Sequence, residues 1–340
     1  MAHGKLKIIS IGLLSGGLDS ILAVKVIQEQ GIEVIGIVFE TPFFSAQNAI
    51  KAAEELGIRL IVKDITPEHL AMLKNPQYGF GANMNPCIDC HALMVREAGK
   101  IMEEEEYHFI FTGEVVNERP MSQNKKALKL VANLSGYQDF LLRPLSAKLL
   151  PETKAEKYGL IDRRRLLNIQ GRSRKFQLHL VEKYGIKDFP TPGGGCLLTD
   201  PIFSKKLKEL FENTEDYSIR DIELLKLGRH FRIQGKKVII GRNKEENQKL
   251  KEMAIGKDVV LSAEHVPGPI ALICESVSKR IMKKAAGICA RFSDAKNEKK
   301  LPVIYRLGKK NEEITPEAIT QEKMDALRIN FEAKVLKEDT

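Results

Sequence analysis

The sequence predicts an α/β protein with a doubly wound parallel sheet, followed by a smaller α+β domain. The first observation is that short apolar runs at residues 8–14, 34–39 and 58–62 have the composition of buried parallel strands. The second is that helical patterns at residues 21–27 and 46–56 separate these runs, which gives a βαβαβ order. A sheet built in this way binds its ligand at the carboxyl ends of the strands.

The last part of the chain has a different pattern. Two apolar stretches flank residues 234–236, which predicts a hairpin, and further short strands and helices are expected after it. We therefore place the end of the first domain near Asp200. The sequence predicts two domains, residues 1–200 and residues 201–340.

Composition excludes several classes of protein. Hydrophobic residues make up 43% of the 340, yet no apolar run reaches the length of a membrane span. Residues 1–5 lack the apolar core of a signal peptide. Five cysteines, an odd number with one close pair, fit a reducing compartment and a metal or redox role better than a disulfide framework. We therefore expect a cytoplasmic protein with no membrane partner.

Positive charge is concentrated in the second part of the chain. The formal net charge is +9, to which residues 1–200 contribute 25 Lys and Arg against 23 Asp and Glu. Residues 201–340 contribute 29 against 22, a surplus of +7. This surplus favours a polyanionic partner such as nucleic acid, although ordinary solvated lysines would give the same count.

A six-residue loop, Ser-Gly-Gly-Leu-Asp-Ser, begins at Ser15 and joins the first strand to the first helix. Backbone N–H groups and the helix dipole favour an anion at such a place, and Gly16 and Gly17 let the backbone approach it closely. Ser15 and Ser20 add hydroxyl donors, and Asp19 can hold Mg²⁺ or a water bound to it. The loop is neither a Walker A loop nor a G-x-G-x-x-G fingerprint. The alternative interpretation is a glycine-rich turn without a ligand.

This loop resembles the S-G-G-x-D-S signature of the PP-loop ATP pyrophosphatases. That family cleaves ATP between its α and β phosphates, adenylates an oxygen, and then replaces this oxygen with nitrogen or sulfur. The resemblance implies ATP and Mg²⁺ as cofactors, bound along one edge of the sheet. The residues expected to contact the nucleotide are Ser15, Gly16, Gly17, Asp19, Ser20, Phe39, Thr112 and Gly113.

Three cysteines, Cys87, Cys90 and Cys196, follow loops rich in proline and glycine. We expect both loops to lie over the nucleotide edge of the sheet. Three thiolates suit an iron–sulfur cluster with one open iron better than a structural zinc ion, which takes four ligands. His91 could supply a fourth ligand, which would allow zinc. The alternative is a reduced C-x-x-C pair and an unrelated buried cysteine.

Taken together, the motifs resemble those of the tRNA thiouridine synthases, including the 2-thiouridylase and the 4-thiouridine synthase. The resemblance covers roughly residues 6–200. It adds to the phosphate loop the motifs Asn85-Pro86-Cys87-x-x-Cys90, Thr112-Gly113-Glu114 and Gly194-Gly195-Cys196. A thiouridylase-like subgroup also shares the element Arg119-Pro120-x-Ser122-Gln123. In that subgroup the second part of the chain resembles the RNA-binding domain of the NFACT proteins, through residues 228–232 and 240–247.

The resemblance implies that ATP adenylates a uridine carbonyl oxygen of tRNA and that sulfur then replaces this oxygen. In one route, Cys87, Cys90 and Cys196 hold a [4Fe–4S] cluster whose open iron binds hydrosulfide. In the other, one cysteine carries a persulfide and another resolves it as a disulfide. We favour the cluster, because three thiolates leave one iron open. Asp19 and the three cysteines are expected to be catalytic, and the sulfur donor is sulfide or a persulfide carrier.

A basic stretch, predicted to be helical from residue 151 to residue 187, would hold tRNA phosphates near the site. The second domain would bind the body of the tRNA by its shape. The residues expected to contact RNA are Arg163, Arg164, Arg165, Arg172, Arg174, Lys175, Arg229, Arg232 and Arg242. Two other interpretations stay open: an amidating PP-loop synthetase, and a non-catalytic RNA-binding factor. The sequence also leaves open which uridine and ring carbon are modified, and whether the chain forms a homodimer.

Overall fold

The computed structural model describes residues 7–190, 195–263, 266–294, 302–308, 310–317 and 319–329. The chain divides into two compact units, residues 1–199 and residues 200–340. Gly194, which belongs to the Gly-Gly-Cys motif of the sequence, lies outside the described residues. Of the helices that the structure describes, none combines the length and the apolar character needed to cross a membrane.

The first unit is built on a five-stranded parallel sheet with the strand order β3-β2-β1-β4-β5. The first strand, β1, therefore lies at the centre of the sheet, and the later strands are added on both sides of it. This order confirms the predicted doubly wound α/β fold. The strands are β1 (Ile9–Leu13), β2 (Glu33–Glu40), β3 (Arg59–Asp64), β4 (Phe109–Thr112) and β5 (Leu141–Leu142). The helices are α1 (Leu18–Gln28), α2 (Gln47–Leu56), α3 (Thr66–Lys74), α4 (Cys87–Glu104), α5 (Lys125–Ser135), α6 (Lys154–Lys157) and α7 (Lys175–Tyr184).

Apolar side chains on both faces of this sheet are buried. In β4, Phe109 and Phe111 pack with α1 and α2 on one face, whereas Ile110 packs with α4 and α5 on the other. This alternation follows from the two-residue period of a strand, and it explains why the strands are apolar throughout. The arrangement places the loops after β1 and β4 side by side at one edge of the sheet, because these two strands are paired in parallel.

The prediction of a helical stretch from residue 151 to residue 187 is wrong for most of its length. Only α6 and α7 are α-helices there, and the rest consists of turns and short 3-10 segments. The backbone bonds to a distant segment instead, since the amides of Leu167 and Ile169 donate to the carbonyls of Pro144 (3.0 Å) and Leu145 (2.8 Å). The stretch is irregular because these backbone amides bond to carbonyls in the segment after β5. In a helix they would bond to carbonyls one turn earlier in the same stretch.

The second unit is the predicted smaller α+β domain. Its sheet has the order β11-β10-β8-β9-β7-β6, and all of its strand pairs are antiparallel. The helices α11 and α12 pack on one face, and α9 and α10 pack on the other. The strands are β6 (Arg229–Ile233), β7 (Lys236–Ile240), β8 (Val259–Ala263), β9 (Ile270–Ile273), β10 (Val303–Leu307) and β11 (Lys310–Ile314). The helices are α8 (Pro201–Asn213), α9 (Ile219–Leu224), α10 (Lys244–Glu252), α11 (Lys279–Arg291) and α12 (Gln321–Leu327).

Candidate active site

The phosphate loop joins the carboxyl end of β1 to the amino end of α1. Gly17 caps α1 without a side chain, so the first N–H groups of the helix stay available to an anion. The hydroxyl of Ser20 donates to the carbonyl of Gly17 (2.7 Å) and lies 3.3 Å from the hydroxyl of Ser15, which also accepts from the amide of Gly17 (3.3 Å). These bonds fix the turn in the shape that the sequence predicted for a phosphate site.

Two glycines allow the chain to pack closely around this loop. Gly16 has a φ of +75°, and a Cβ atom there would lie 2.3 Å from the backbone of Asn48. Gly113, which follows β4, would place a Cβ atom 2.5 Å from the amide nitrogen of Ser20. Both distances are too short for any side chain, so these positions require glycine. The structure therefore brings the end of β4 against the phosphate loop, where the sequence predicted a nucleotide contact.

Asp19 lies among three side chains from distant parts of the chain. Its Oδ2 atom is 3.8 Å from Nη2 of Arg174, and its Oδ1 atom is 3.5 Å from the amide Nε2 of Gln177. Glu118 hydrogen-bonds to Asp19, and its Oε1 atom is 3.7 Å from Nε of Arg174. Burial raises the pKa of Asp19, and burial together with the Asp19 charge raises the pKa of Glu118 to about 7.

This carboxylate pair fits a magnesium ion by its chemistry. Oxygen ligands at a partly buried site beside a phosphate loop are what Mg²⁺ prefers in nucleotide enzymes. The sequence predicted a role for Asp19 and a polar active-site loop at residues 117–123, which contains Glu118, but it gave no indication of Gln177. Only the fold brings α7, which carries Gln177, beside the phosphate loop.

A second polar network surrounds the buried carboxylate of Glu114. Its Oε2 atom accepts from Nε of Arg143 (2.8 Å) and from the hydroxyl of Thr112 (3.0 Å), and its Oε1 atom lies 3.1 Å from Nδ1 of His91. Burial alone would raise the pKa of Glu114, but the Arg143 and His91 charges hold it well below its usual range. Thr112 and His91 are therefore engaged within the protein. Since His91 belongs to α4, the network ties this helix to the end of β4.

The three cysteines of the motif share one neighbourhood. Cys87 begins α4 and accepts a hydrogen bond from Nδ2 of Asn85 (3.2 Å), while Sγ of the buried Cys90 lies 3.5 Å from Nε2 of His69. Burial, followed by the charges of Cys196 and Cys87, raises the pKa of the Cys90 thiol well above its usual range. Burial and the Cys87 charge raise the pKa of Cys196 to about 11. Burial therefore disfavours the thiolate form of Cys90 and Cys196.

The arrangement does not match a metal-ligand set. Among the residues that the structure describes, no three or more His, Cys, Asp or Glu side chains are placed to hold one metal ion. Cys90 contacts His69, and His91 is bonded to Glu114 rather than directed at the thiols. The [4Fe–4S] cluster and the zinc ion considered from the sequence therefore stay predictions.

Phe39 is a core residue at the end of β2. Its side chain is only 4% exposed and packs among apolar residues that include Leu93 and Ile110. A nucleotide contact at this position would therefore involve the backbone of Phe39 and not its ring.

The arginines predicted to contact RNA occur in several different environments. Arg163 is ion-paired with the buried Glu156, and the exposed Arg164 is paired with Asp162 at 3.0 Å. Arg165 donates to the carbonyl of Glu29. By contrast, Arg172 and Lys175 are exposed, and no described residue forms a hydrogen bond or an ion pair with either side chain. In the second unit, Arg229 lies 4.6 Å over the ring of Phe292, whereas Arg232 is paired with Glu209 and Arg242 with Glu246.

Comparisons with known proteins agree with the recognition from the motifs. Residues 8–155 match the family described as the tRNA methyl transferase HUP domain, and residues 228–328 match the NFACT protein RNA binding domain. The tRNA-specific 2-thiouridylase MnmA of Pelobacter propionicus is 28% identical over 152 residues, which are 40% of this chain and 42% of that protein. The tRNA-specific 2-thiouridylase MnmA 3 of Bacteroides fragilis is 34% identical over 83 residues, 24% of this chain and 23% of that protein.

The matches to these relatives therefore span less than half of their length. A solved 4-thiouridine synthetase–RNA complex with bound ATP gives a TM-score of 0.37 at 18% identity, covering 63% of this chain and 52% of that one. A likeness at this level supports no functional conclusion. The two matched segments therefore correspond to two domains. The first is a PP-loop HUP domain of the kind found in the tRNA thiouridylase relatives, and the second is an NFACT-type RNA-binding domain.

Proposed function

We propose that this protein is an ATP-dependent tRNA sulfurtransferase that converts a uridine to a thiouridine. The observation that carries this proposal is the position of Glu114, which directly follows the glycine packed on the phosphate loop and bonds to His91, the neighbour of Cys90. A nucleotide site and a group of thiols are thereby held at the same edge of one sheet. Activation by ATP followed by sulfur transfer needs both.

The phosphate loop would bind ATP through its backbone N–H groups and its hydroxyls. The N–H groups at the start of α1 and the hydroxyls of Ser15 and Ser20 suit the phosphates, and Arg174 supplies a nearby positive charge. Asp19 and Glu118 are the residues that would hold Mg²⁺. This ion would neutralise charge on the departing pyrophosphate.

The first chemical step joins the substrate to the nucleotide. A uridine carbonyl oxygen attacks the α-phosphorus of ATP, the bond from this phosphorus to the β-phosphate oxygen breaks, and pyrophosphate leaves. A sulfur nucleophile then adds to the activated carbon, and AMP leaves with the original oxygen. The carbon–oxygen double bond is thereby replaced by a carbon–sulfur double bond. AMP is a good leaving group where oxide is not, which is why ATP is needed.

The sulfur step is assigned to the thiols and not to a cluster. One of Cys87, Cys90 and Cys196 would attack the outer sulfur of a persulfide carrier, whose thiol leaves, and would then hold that sulfur as a persulfide. This terminal sulfur attacks the carbon, and a second thiol would release the product by forming a disulfide. A thiol reductant must then reopen this disulfide. This chemistry requires reduced cysteines, which fits a protein working in the cytoplasm. Free sulfide would need no disulfide step, and a [4Fe–4S] cluster remains the alternative that the sequence favoured.

The test is mass spectrometry of nucleosides from unmodified tRNA incubated with ATP, Mg²⁺, a persulfide carrier, a thiol reductant and protein. One protein sample is reconstituted with iron under anoxic conditions, and another is oxidised in air and then reduced with a thiol. We expect thiouridine from both samples, and none from the Asp19→Asn or Cys196→Ser variant. Product from the anoxic sample alone, together with four irons per chain, would replace the persulfide route with the cluster. If neither sample forms a thionucleoside while ATP still binds, the proposed function is wrong.

A further inference from the structure

Helix α7 has one side on the phosphate loop and another side in solvent. Gln177, in its first turn, is fully buried and directs its amide toward Asp19 at 3.5 Å. Arg174, which immediately precedes the helix, lies 3.8 Å from the same carboxylate. The beginning of α7 is therefore part of the wall of the candidate nucleotide site. The residue next to Gln177 on the outer side of this turn, Phe176, is exposed beside that wall.

The outer side of this turn combines an exposed aromatic ring with two free cations. Phe176 is 47% exposed although it adjoins the fully buried Gln177. Lys175 and Arg172 are exposed, and no described side chain forms an ion pair or hydrogen bond with either of them. We refer to Arg172, Lys175 and Phe176 as the α7 patch. It differs from the neighbouring cations Arg163 and Arg165, which are engaged within the protein.

We propose that the α7 patch binds an unpaired stretch of RNA, with Phe176 stacking on a base next to the target uridine. The bases of a duplex are already stacked on each other, whereas those of a loop offer a free face to an aromatic side chain. Arg172 and Lys175 would neutralise the phosphates on either side of that base. This inference rests on the proposed function and adds to it which surface of the chain holds the RNA next to the target uridine.

The chemistry of the neighbouring site agrees with this choice of substrate. The carbonyl oxygen of the uridine must reach the α-phosphorus of ATP, and a base inside a duplex has to leave the stack before it can do so. A loop nucleotide needs less free energy for this movement. An aromatic ring exposed beside the wall of the site would hold the adjacent base while the uridine turns inward.

The experiment measures binding of fluorescently labelled RNA by anisotropy, in the absence of ATP and of a sulfur source. The probes are a stem–loop with a uridine-rich loop and a blunt duplex of the same stem. We expect Phe176→Ala to weaken stem–loop binding about tenfold and to leave duplex binding unchanged. Phe176→Trp should bind the stem–loop as tightly as the unchanged protein. Arg172→Ala and Lys175→Ala should each reduce the slope of log K against log salt by about 0.7.

Two matched variants serve as controls. Tyr158→Ala removes an aromatic side chain that is 72% exposed at the end of α6, and Lys157→Ala removes the exposed cation beside it. Neither should change the affinity for the stem–loop. Three results would overturn the inference. Phe176→Ala could bind the stem–loop as tightly as the unchanged protein, it could lose as much affinity for the duplex as for the stem–loop, or Tyr158→Ala could lose as much affinity for the stem–loop as Phe176→Ala does.

Binding and catalysis give separate answers in this design. If no thiouridine forms but Phe176→Ala still weakens stem–loop binding selectively, the proposed reaction is wrong and the docking site stands. If thiouridine forms while Phe176→Ala binds and reacts normally, the docking site is wrong and the reaction stands.

Discussion

The guanidinium of Arg174 lies 3.8 Å from the carboxylate of Asp19 and 3.7 Å from that of Glu118. Both distances exceed hydrogen-bond range, so the arginine balances the charge of the carboxylates without being bonded tightly to either. A side chain held in this way can turn toward a polyphosphate with little loss of its interaction with the two carboxylates. The sequence placed Arg174 among the tRNA contacts, whereas its position favours a role at the nucleotide.

Replacement of Arg174 by glutamine should weaken ATP binding about tenfold or more, since hydrogen bonds to charged groups contribute about 1.5–3 kcal/mol. Calorimetric titration with a non-hydrolysable ATP analogue measures this change. Arg172→Gln is the matched control, because Arg172 is a nearby exposed cation, and it should bind the analogue normally. An Arg174→Gln variant that loses affinity for RNA but not for the nucleotide would return this residue to the RNA contacts.

Gly113→Ala should damage both the fold and nucleotide binding. The added Cβ atom would lie 2.5 Å from the amide nitrogen of Ser20 and 2.6 Å from the carbonyl carbon of Asp19, so the phosphate loop must shift. Overpacking of this kind lowers the free energy of unfolding by about 1–3 kcal/mol. Urea denaturation and titration with ATP measure the two effects. Gly256→Ala, where the Cβ atom meets nothing within 4 Å, should leave both values unchanged.

Glu114→Gln should be among the most destabilising single changes in the first unit. It would leave the charge of Arg143, which is only 6% exposed, without its carboxylate partner. Breaking a buried ion pair from one side lowers the free energy of unfolding by about 3–5 kcal/mol. Urea denaturation at neutral pH measures this loss. The double variant Glu114→Gln/Arg143→Met should recover part of it, and a double variant as unstable as the single one would contradict this explanation.

The second unit should lose stability as the pH falls below 6.5, because His230 is buried in its neutral form. Burial, followed by the charges of Lys206 and Lys237, lowers the pKa of His230 well below 6.5. Above pH 6.5 the imidazole is neutral in both the folded and the unfolded chain. Below it the unfolded chain binds a proton that the folded chain does not, so the free energy of unfolding decreases.

Between pH 7 and pH 5.5 this contribution should be about 1 kcal/mol. Urea denaturation of the protein and of a His230→Gln variant at several pH values isolates the effect, because all other groups are common to both. The difference in unfolding free energy between the two proteins should shrink as the pH falls. A difference that stays constant with pH would show that His230 does not titrate in this way.

Local signals made the phosphate loop and its surroundings predictable. The strand, the glycine-containing turn and the helix from β1 to α1 are contiguous, and each is determined by residues within a few positions of it. The same holds for the hairpin of β6 and β7. The order of the parallel strands followed from the alternation of strand and helix. These parts of the fold needed no knowledge of distant contacts.

The parts that failed depend on contacts between distant residues. The local sequence around Arg232 predicts an exposed cation on a strand. In the structure Arg232 is paired with Glu209, which lies 23 residues earlier on α8. Gln177 reaches Asp19 across a separation of 158 residues. Likewise, the irregular stretch before α7 is bonded to the segment after β5. A count of arginines cannot show which of them already have a carboxylate partner.

The link from His91 through Glu114 to Gly113 has a consequence for how such a protein can diversify. The helix that carries Cys87 and Cys90 and the turn proposed to bind the nucleotide are both attached to the segment Thr112-Gly113-Glu114 at the end of β4. A change in the tilt of α4 would displace that segment, and the nucleotide would be misplaced together with the thiols. Variation in sulfur delivery is therefore least disruptive in the loop ahead of Cys87, whose conformation can change while α4 keeps its attachment.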